Sequence, residues 1–168
     1  MTTPETLFVF GHEMGHYVLG HIYKGIAFAA VMMFIGLYLA YRVLNWMLAR
    51  WGGRWKIRNL QDWAALPVLL LILAIFGFLS SPVANGFSRY DEHQADIYGL
   101  EVTHGIVPDS TAAATHSFQI LGEVDLADPH PSAFIKYWLY SHPPMDERIR
   151  FAHEYDPWAP GKTPEFVK

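Results

Sequence analysis

No cysteine occurs among the 168 residues. The chain therefore has no disulfide and no thiolate, and any strongly held metal would depend on histidine and carboxylate. Charge is scarce too. Only 17% of the residues are charged while 52% are hydrophobic, a balance suited to a chain that enters a membrane and unusual for one small soluble domain. The net charge of −4, with no basic stripe outside one short turn, excludes a broad nucleic-acid surface. That turn, Arg50-Trp51-Gly52-Gly53-Arg54, lacks the Gly-Lys-Ser/Thr ending of a phosphate-binding loop. Met1–Thr6 has neither the basic start nor the apolar core of a signal peptide and reads as a loop entering a helix. There is no internal repeat and no sign of a second domain.

What is present is concentrated in Gly11-His12-Glu13-Met14-Gly15-His16. Positions four apart share one face of a helix, so His12 and His16 can offer two imidazoles to one ion. Glu13 lies beside them, where its carboxylate can take a proton from water acidified by a metal. The pattern is that of a zinc peptidase with one Zn2+ per chain.

A catalytic zinc normally takes three protein ligands, so a third must come from elsewhere. The best candidate segment is Ser88–Asp96, in which Glu92 and Asp96 again stand four apart on one helical face. Glu92 is expected to bind the metal. Asp96, one turn on, is expected to accept the remaining ring N–H of a ligating histidine and fix its tautomer. His21 is nine positions after His12, which on a continuous helix turns it to the opposite face, so it should not share the metal. His93 should point away from Glu92, and His104, His116, His130 and His153 have no partner at ligand spacing. Asn85 could line the cleft, although no spacing supports it.

Two uncharged runs account for the composition. Gly25–Tyr41 would span about 26 Å as a helix, close to the hydrocarbon thickness of a bilayer, and Trp63–Ser88 is longer still. Transmembrane helices are expected at 25–44 and 63–82. Between them the basic turn, with Gly52 and Gly53 breaking the helix, closes a hairpin, and Trp46, Trp51, Trp55 and Trp63 cluster there as at a membrane–water boundary. A hairpin also explains why 76 positions, from 16 to 92, separate His16 from Glu92. Two spans return the chain to its starting side, and one span would not.

Three blocks taken together, Phe10–His21, Ser88–Asp96 and Ser141-His142-Pro143-Pro144-Met145-Asp146-Glu147-Arg148-Ile149, resemble the integral-membrane zinc endopeptidases typified by the CAAX prenyl protease. Bacterial heat-shock membrane proteases are relatives, and the last block favours the prenyl-protease branch. The resemblance implies a mainly α, zincin-like, membrane-embedded metallopeptidase, with a two-helix hairpin inserted between its two zinc-ligand helices. It implies hydrolysis of membrane-associated polypeptides. His142 would face the zinc cleft and donate a hydrogen bond to the developing oxyanion, and Arg148 would add positive charge there or anchor the surroundings of His142.

The resemblance also implies further spans before the HExxH helix. Residues 1–11 supply none, so residues 1–168 are expected to form one peptidase domain that is the C-terminal part of a longer architecture. It places the catalytic side in the cytoplasm, whereas Arg50, Arg54, Lys56 and Arg58 argue by the positive-inside rule for a cytoplasmic turn and an outward-facing site. Two other readings compete. An intramembrane metalloprotease would carry an aspartate ligand inside the second run, and none is there. A membrane subunit that retains the zinc residues without activity would look the same in sequence. No feature specifies an oligomeric state.

Beyond Asp96 the pattern is soluble and helical. Turns are expected at Gly105–Pro108 and Asp128–Pro131, with a helix capped by Asp109 or Ser110 running through Leu121. Another is expected over Ser132–Tyr140, and a last one starting at Pro143 and Pro144. Residues 156–168, rich in proline, are expected to be a loose tail.

Overall fold

The computed structural model describes residues 1–128 and 130–167. Pro129 and Lys168, which belong to the expected turn and tail, lie outside the described residues. Among those described there are six α-helices and no strand: α1 (Thr3–Val18), α2 (His21–Trp55), α3 (Leu66–Thr103), α4 (Ser110–Val124), α5 (Ala133–Leu139) and α6 (Met145–Glu154). Two compact units result, one from Met1–Ile22 with Pro82–Lys168 and one from Tyr23–Ser81.

The second unit is the helical hairpin. Ala40, Leu44 and Ile72 are buried at its centre, with Val43, Met47, Leu69 and Phe76 packed around them. Most of its other apolar side chains face outward: Phe34, Leu71 and Leu79 are 69%, 57% and 60% exposed. Both helices are long and apolar enough to cross a membrane, and burial of such surface in hydrocarbon satisfies it as a protein core would.

The turn differs from the sequence expectation in one respect. Gly52 and Gly53 do not break α2, which runs on to Trp55. The stop comes at Lys56, whose φ is 57°, and the Ile57 N–H reaches back to the Gly52 carbonyl at 3.0 Å. This is a helix-ending Schellman arrangement. A β-carbon on Gly52 would stand 2.9 Å from the Ile57 carbonyl oxygen, so glycine permits the closure. Trp51 bridges Trp46 and Trp55, with ring centroids at 5.1 and 5.8 Å.

In the first unit the core is made by α1, α3, α4 and α6. Phe8 and Phe118 meet edge to face at 5.3 Å beside Leu100, Ala114 and Ala152. Each of these buried phenylalanines contributes roughly 1.5–3 kcal/mol. α1 and the C-terminal part of α3 approach closely because glycines face each other. A β-carbon on Gly99 would lie 3.1 Å from the His12 backbone nitrogen, and one on Gly15 would lie 3.0 Å from the Tyr98 Cβ.

Local chemistry sets the helix boundaries. Asp109 caps α4 through the Ala112 N–H at 2.9 Å, and Ser132 caps α5 through the Ile135 N–H at 3.4 Å. Pro144 is the residue before α6. The described residues of the segment expected to be a loose tail form no helix or strand, yet they are fastened at several points. The amides of Glu165, Phe166 and Val167 donate to the buried Glu101 carboxylate at 2.5, 2.8 and 2.8 Å. Tyr155 donates its hydroxyl to the same carboxylate, and Trp158 stacks on His104 at 3.5 Å.

Candidate metal centre

Helix α1 presents His12 and His16 on one face, and α3 presents Glu92 and Asp96 against them. The His12 and His16 Nε2 atoms are 3.2 Å apart. Glu92 Oε2 is 3.4 Å from His12 Nε2, and Glu92 Oε1 is 3.4 Å from His16 Nε2. Two ligands held about 2.0–2.1 Å from one tetrahedral zinc stand roughly 3.4 Å apart, and the two imidazole nitrogens, and each of them with its nearer Glu92 oxygen, stand at about that separation. Glu92 Oε2 is buried without a hydrogen-bond partner. A cation between the three atoms would satisfy it, and the donor set fits zinc: two imidazole nitrogens and one carboxylate.

The outer partners are equally defined. His12 Nδ1 donates to Asp96 Oδ1 at 2.8 Å, which leaves its Nε2 lone pair facing the centre. Asp96 is 1% exposed and takes two further hydrogen bonds from Arg148, Nε to Oδ2 at 2.9 Å and Nη2 to Oδ1 at 2.5 Å. The guanidinium carbon also lies 4.3 Å from the Phe118 ring centroid. Arg148 lines the cleft, with its guanidinium bonded to Asp96.

Electrostatics follow from this packing. Burial alone would lower the His12 pKa, but the carboxylates of Asp96 and Glu92 outweigh it and raise the pKa to about 9. Burial opposes ionisation of Glu92, yet the His12 and His16 rings against it, with His142, hold its carboxyl well below the usual range. Burial likewise disfavours the Asp96 anion, and the adjacent Arg148 charge, with His12, keeps it ionised. The centre is thus negative enough to retain a proton on His12 or, in its place, a metal cation.

A cleft of about 410 Å³ opens over these groups, lined by His12, Glu13, Glu92, Tyr140, His142 and Arg148 among others. Glu13 is exposed at its edge. His142 Nε2 lies 3.3 Å from Glu92 Oε1, and its Nδ1 is 3.0 Å from the Ser141 hydroxyl. The segment bearing His142 is fastened to α3. Arg89 Nη1 donates to the carbonyls of Lys136 and Tyr140 at 3.0 and 2.5 Å, and Asn85 donates to that of Trp138 at 2.7 Å. Asn85 therefore serves the C-terminal end of α5, whose last carbonyls have no helical partners. That need could not be seen in its sequence spacing.

The other histidines are apart from the donors, with one exception. His93 packs on Phe151 at 4.3 Å, His116 bonds Glu5 at 2.6 Å, and His130 bonds Asp146 at 3.2 Å. His153 is exposed. The exception is His21, expected on the opposite face, whose Nδ1 lies 3.0 Å from His16 Nδ1. The expectation presumed one continuous helix, but α1 ends at Val18, and Gly20 at φ 70° redirects the chain. His21 is not among the three metal-facing donors.

Comparison with known proteins gives the family of the chain. The profile of peptidase family M48 matches residues 1–156. The chain is 35% identical over 150 residues to the uncharacterised metalloprotease YhfN of Bacillus subtilis, covering 89% of this chain and 34% of that protein. It is 31% and 30% identical over 153 residues to the CAAX prenyl protease 1 homologues of Mus musculus and Homo sapiens, in both cases covering 87% of this chain and 30% of the relative. The chain thus spans about a third of the length of these relatives.

Proposed function

The chain belongs to peptidase family M48, and on that premise we propose that it is a zinc-dependent metalloendopeptidase acting on membrane-associated polypeptides. The observation that carries the reading is the convergence of His12, His16 and Glu92 beneath a cleft that also contains Glu13.

In this proposal His12, His16 and Glu92 hold the zinc, which when bound would polarise the scissile carbonyl and acidify water. Glu13 takes a proton from the attacking water and delivers it to the leaving amine. Asp96 keeps one His12 proton on Nδ1, so that Nε2 is the nitrogen left for the metal, and Arg148 holds Asp96 ionised and in place. His142, at the cleft wall, donates a hydrogen bond to the carbonyl oxygen as negative charge develops on it. The protein is read as integral to the membrane and multi-pass, which its two long apolar helices support, with the catalytic side in the cytoplasm as the resemblance of its motifs to the prenyl proteases implies.

Reconstitution in liposomes with stoichiometric zinc, and an unstructured membrane-tethered polypeptide as reporter, tests the reading. Wild type should cleave; Glu13→Gln, at equal zinc occupancy, should lose about 10²–10⁴-fold in rate, because the amide keeps the shape of the acid but cannot accept the proton. Cleavage by Glu13→Gln at the wild-type rate would overturn the mechanism. No cleavage by either, despite bound zinc, would favour a non-catalytic membrane subunit.

A further inference from the structure

His16 and His21 face each other through like atoms, Nδ1 to Nδ1 at 3.0 Å, with their rings edge to face at 77°. Two ring nitrogens at that distance require one to donate and the other to accept. His16 must leave Nε2 unprotonated to serve as a metal donor, so a neutral His16 carries its hydrogen on Nδ1. His21 then accepts on Nδ1 and holds its own hydrogen on Nε2.

The surroundings of His21 have the polarity this assignment needs. His21 Nε2 lies 3.3 Å from Gln94 Oε1 and 3.9 Å from Asp91 Oδ1, both acceptors. Gln94 is turned the right way, because its amide nitrogen donates to the Tyr90 hydroxyl at 3.1 Å, which leaves its oxygen toward His21. Asp91 Oδ1 is buried with no hydrogen bond of its own, so its charge favours a hydrogen on the nearby His21 Nε2. His21 is 5% exposed, which keeps water from substituting for it.

We infer that His21 is a positioning residue for the metal centre: it accepts the Nδ1 hydrogen of His16, relays the polarity of Gln94 and Asp91, and thereby fixes the tautomer and ring orientation of His16. His12 obtains the same service from a carboxylate, Asp96, so the two histidine donors are oriented by different chemistry. The helix break at Gly20 makes this possible, since it brings the first residue of α2 back over the last turn of α1.

The inference rests on the zinc-site reading, and its test separates the two. Zinc affinity is measured by competition with a chromogenic chelator, on the full chain in detergent micelles, for wild type, His21→Leu and His21→Asn. Leucine fills the space without an acceptor, whereas asparagine can place its oxygen where Nδ1 stood. His21→Leu should weaken zinc binding about 10–100-fold, and His21→Asn should restore most of that loss at unchanged helicity. Equal affinity in all three, or equal weakening in both variants, would overturn the positioning role and leave His21 as packing. Failure of the wild type to bind zinc would remove the zinc-site reading and, with it, this one.

Discussion

Arg148 and Asp96 form a two-pronged buried ion pair, with hydrogen bonds at 2.9 and 2.5 Å, and the Asp96 Oδ1 that Arg148 reaches is also the acceptor for His12. One carboxylate therefore ties α6, α3 and α1 together immediately behind the candidate donors His12, His16 and Glu92. Neither partner has water to fall back on, since Asp96 is 1% and Arg148 6% exposed.

Arg148→Ala should cost about 3–5 kcal/mol of stability, because it strands a buried carboxylate. Arg148→Lys should recover only part of this, as a single ammonium cannot make two parallel bonds. Thermal unfolding of the metal-free protein in detergent reads the first effect, and chelator competition reads the accompanying loss of zinc affinity. A change in stability under about 0.5 kcal/mol for Arg148→Ala, the level of an ordinary surface substitution, would show that the pair is not structural.

The metal-free protein should lose stability as the medium becomes alkaline. The His12 pKa rises from 6.5 to about 9 on folding. Its contribution is complete below 6.5 and disappears as pH climbs through about 9. Zinc must displace that proton, so zinc affinity should strengthen across the same window, and binding near neutral pH should release about one proton. Calorimetric titrations in buffers of differing ionisation enthalpy measure the release; an affinity flat across this interval would contradict the assignment.

Gly99→Ala should damage the metal centre from a distance. The new methyl group would meet the His12 backbone nitrogen and the Phe8 ring at 3.1 Å each, pushing α1 from α3 at a cost of about 1–3 kcal/mol. Gly53→Ala, where nothing lies within 4 Å, is the control. Weakened zinc binding in the first variant alone is the expected result, measured together with unfolding temperature; equal behaviour would mean the helices can slide without loss.

Membrane orientation can be read with a single label because the chain has no cysteine. Lys162→Cys puts a thiol at an exposed position of the catalytic unit. An impermeant maleimide should reach it in inverted vesicles and not from outside intact cells. The reverse result would mean that Arg50, Arg54, Lys56 and Arg58 govern insertion, as the positive-inside rule alone would have it.

The pairing of His12 with His16, and of Glu92 with Asp96, could be read from the sequence because helical periodicity fixes which side chains share a face. The contact between the two pairs, with 75 residues from 17 to 91 between His16 and Glu92, became legible through the hairpin that returns the chain. His21 escaped the same logic. One glycine at positive φ resets the helical phase, and periodicity says nothing beyond such a break. Gly52 misled in the opposite way, since it allows a carbonyl to close over the end of a helix and does not interrupt it. The partners of Arg148, Arg89 and Asn85 answer needs created by tertiary packing, which leave no periodic trace.

The glycine-to-backbone contact between α1 and α3 has a consequence for which ions the centre can accept. The main chains around Gly15 and Gly99 stand so close to their neighbours across the two helices that α1 and α3 cannot draw nearer at His12, His16 and Glu92. Oxygen-seeking ions such as calcium require 2.3–2.6 Å bonds and six to eight ligands, more donors than the two imidazoles and one carboxylate that meet here. In the zinc-site reading proposed above, the preference for a small, four-coordinate ion would rest on the spacing of two helix backbones as well as on the identity of the donors.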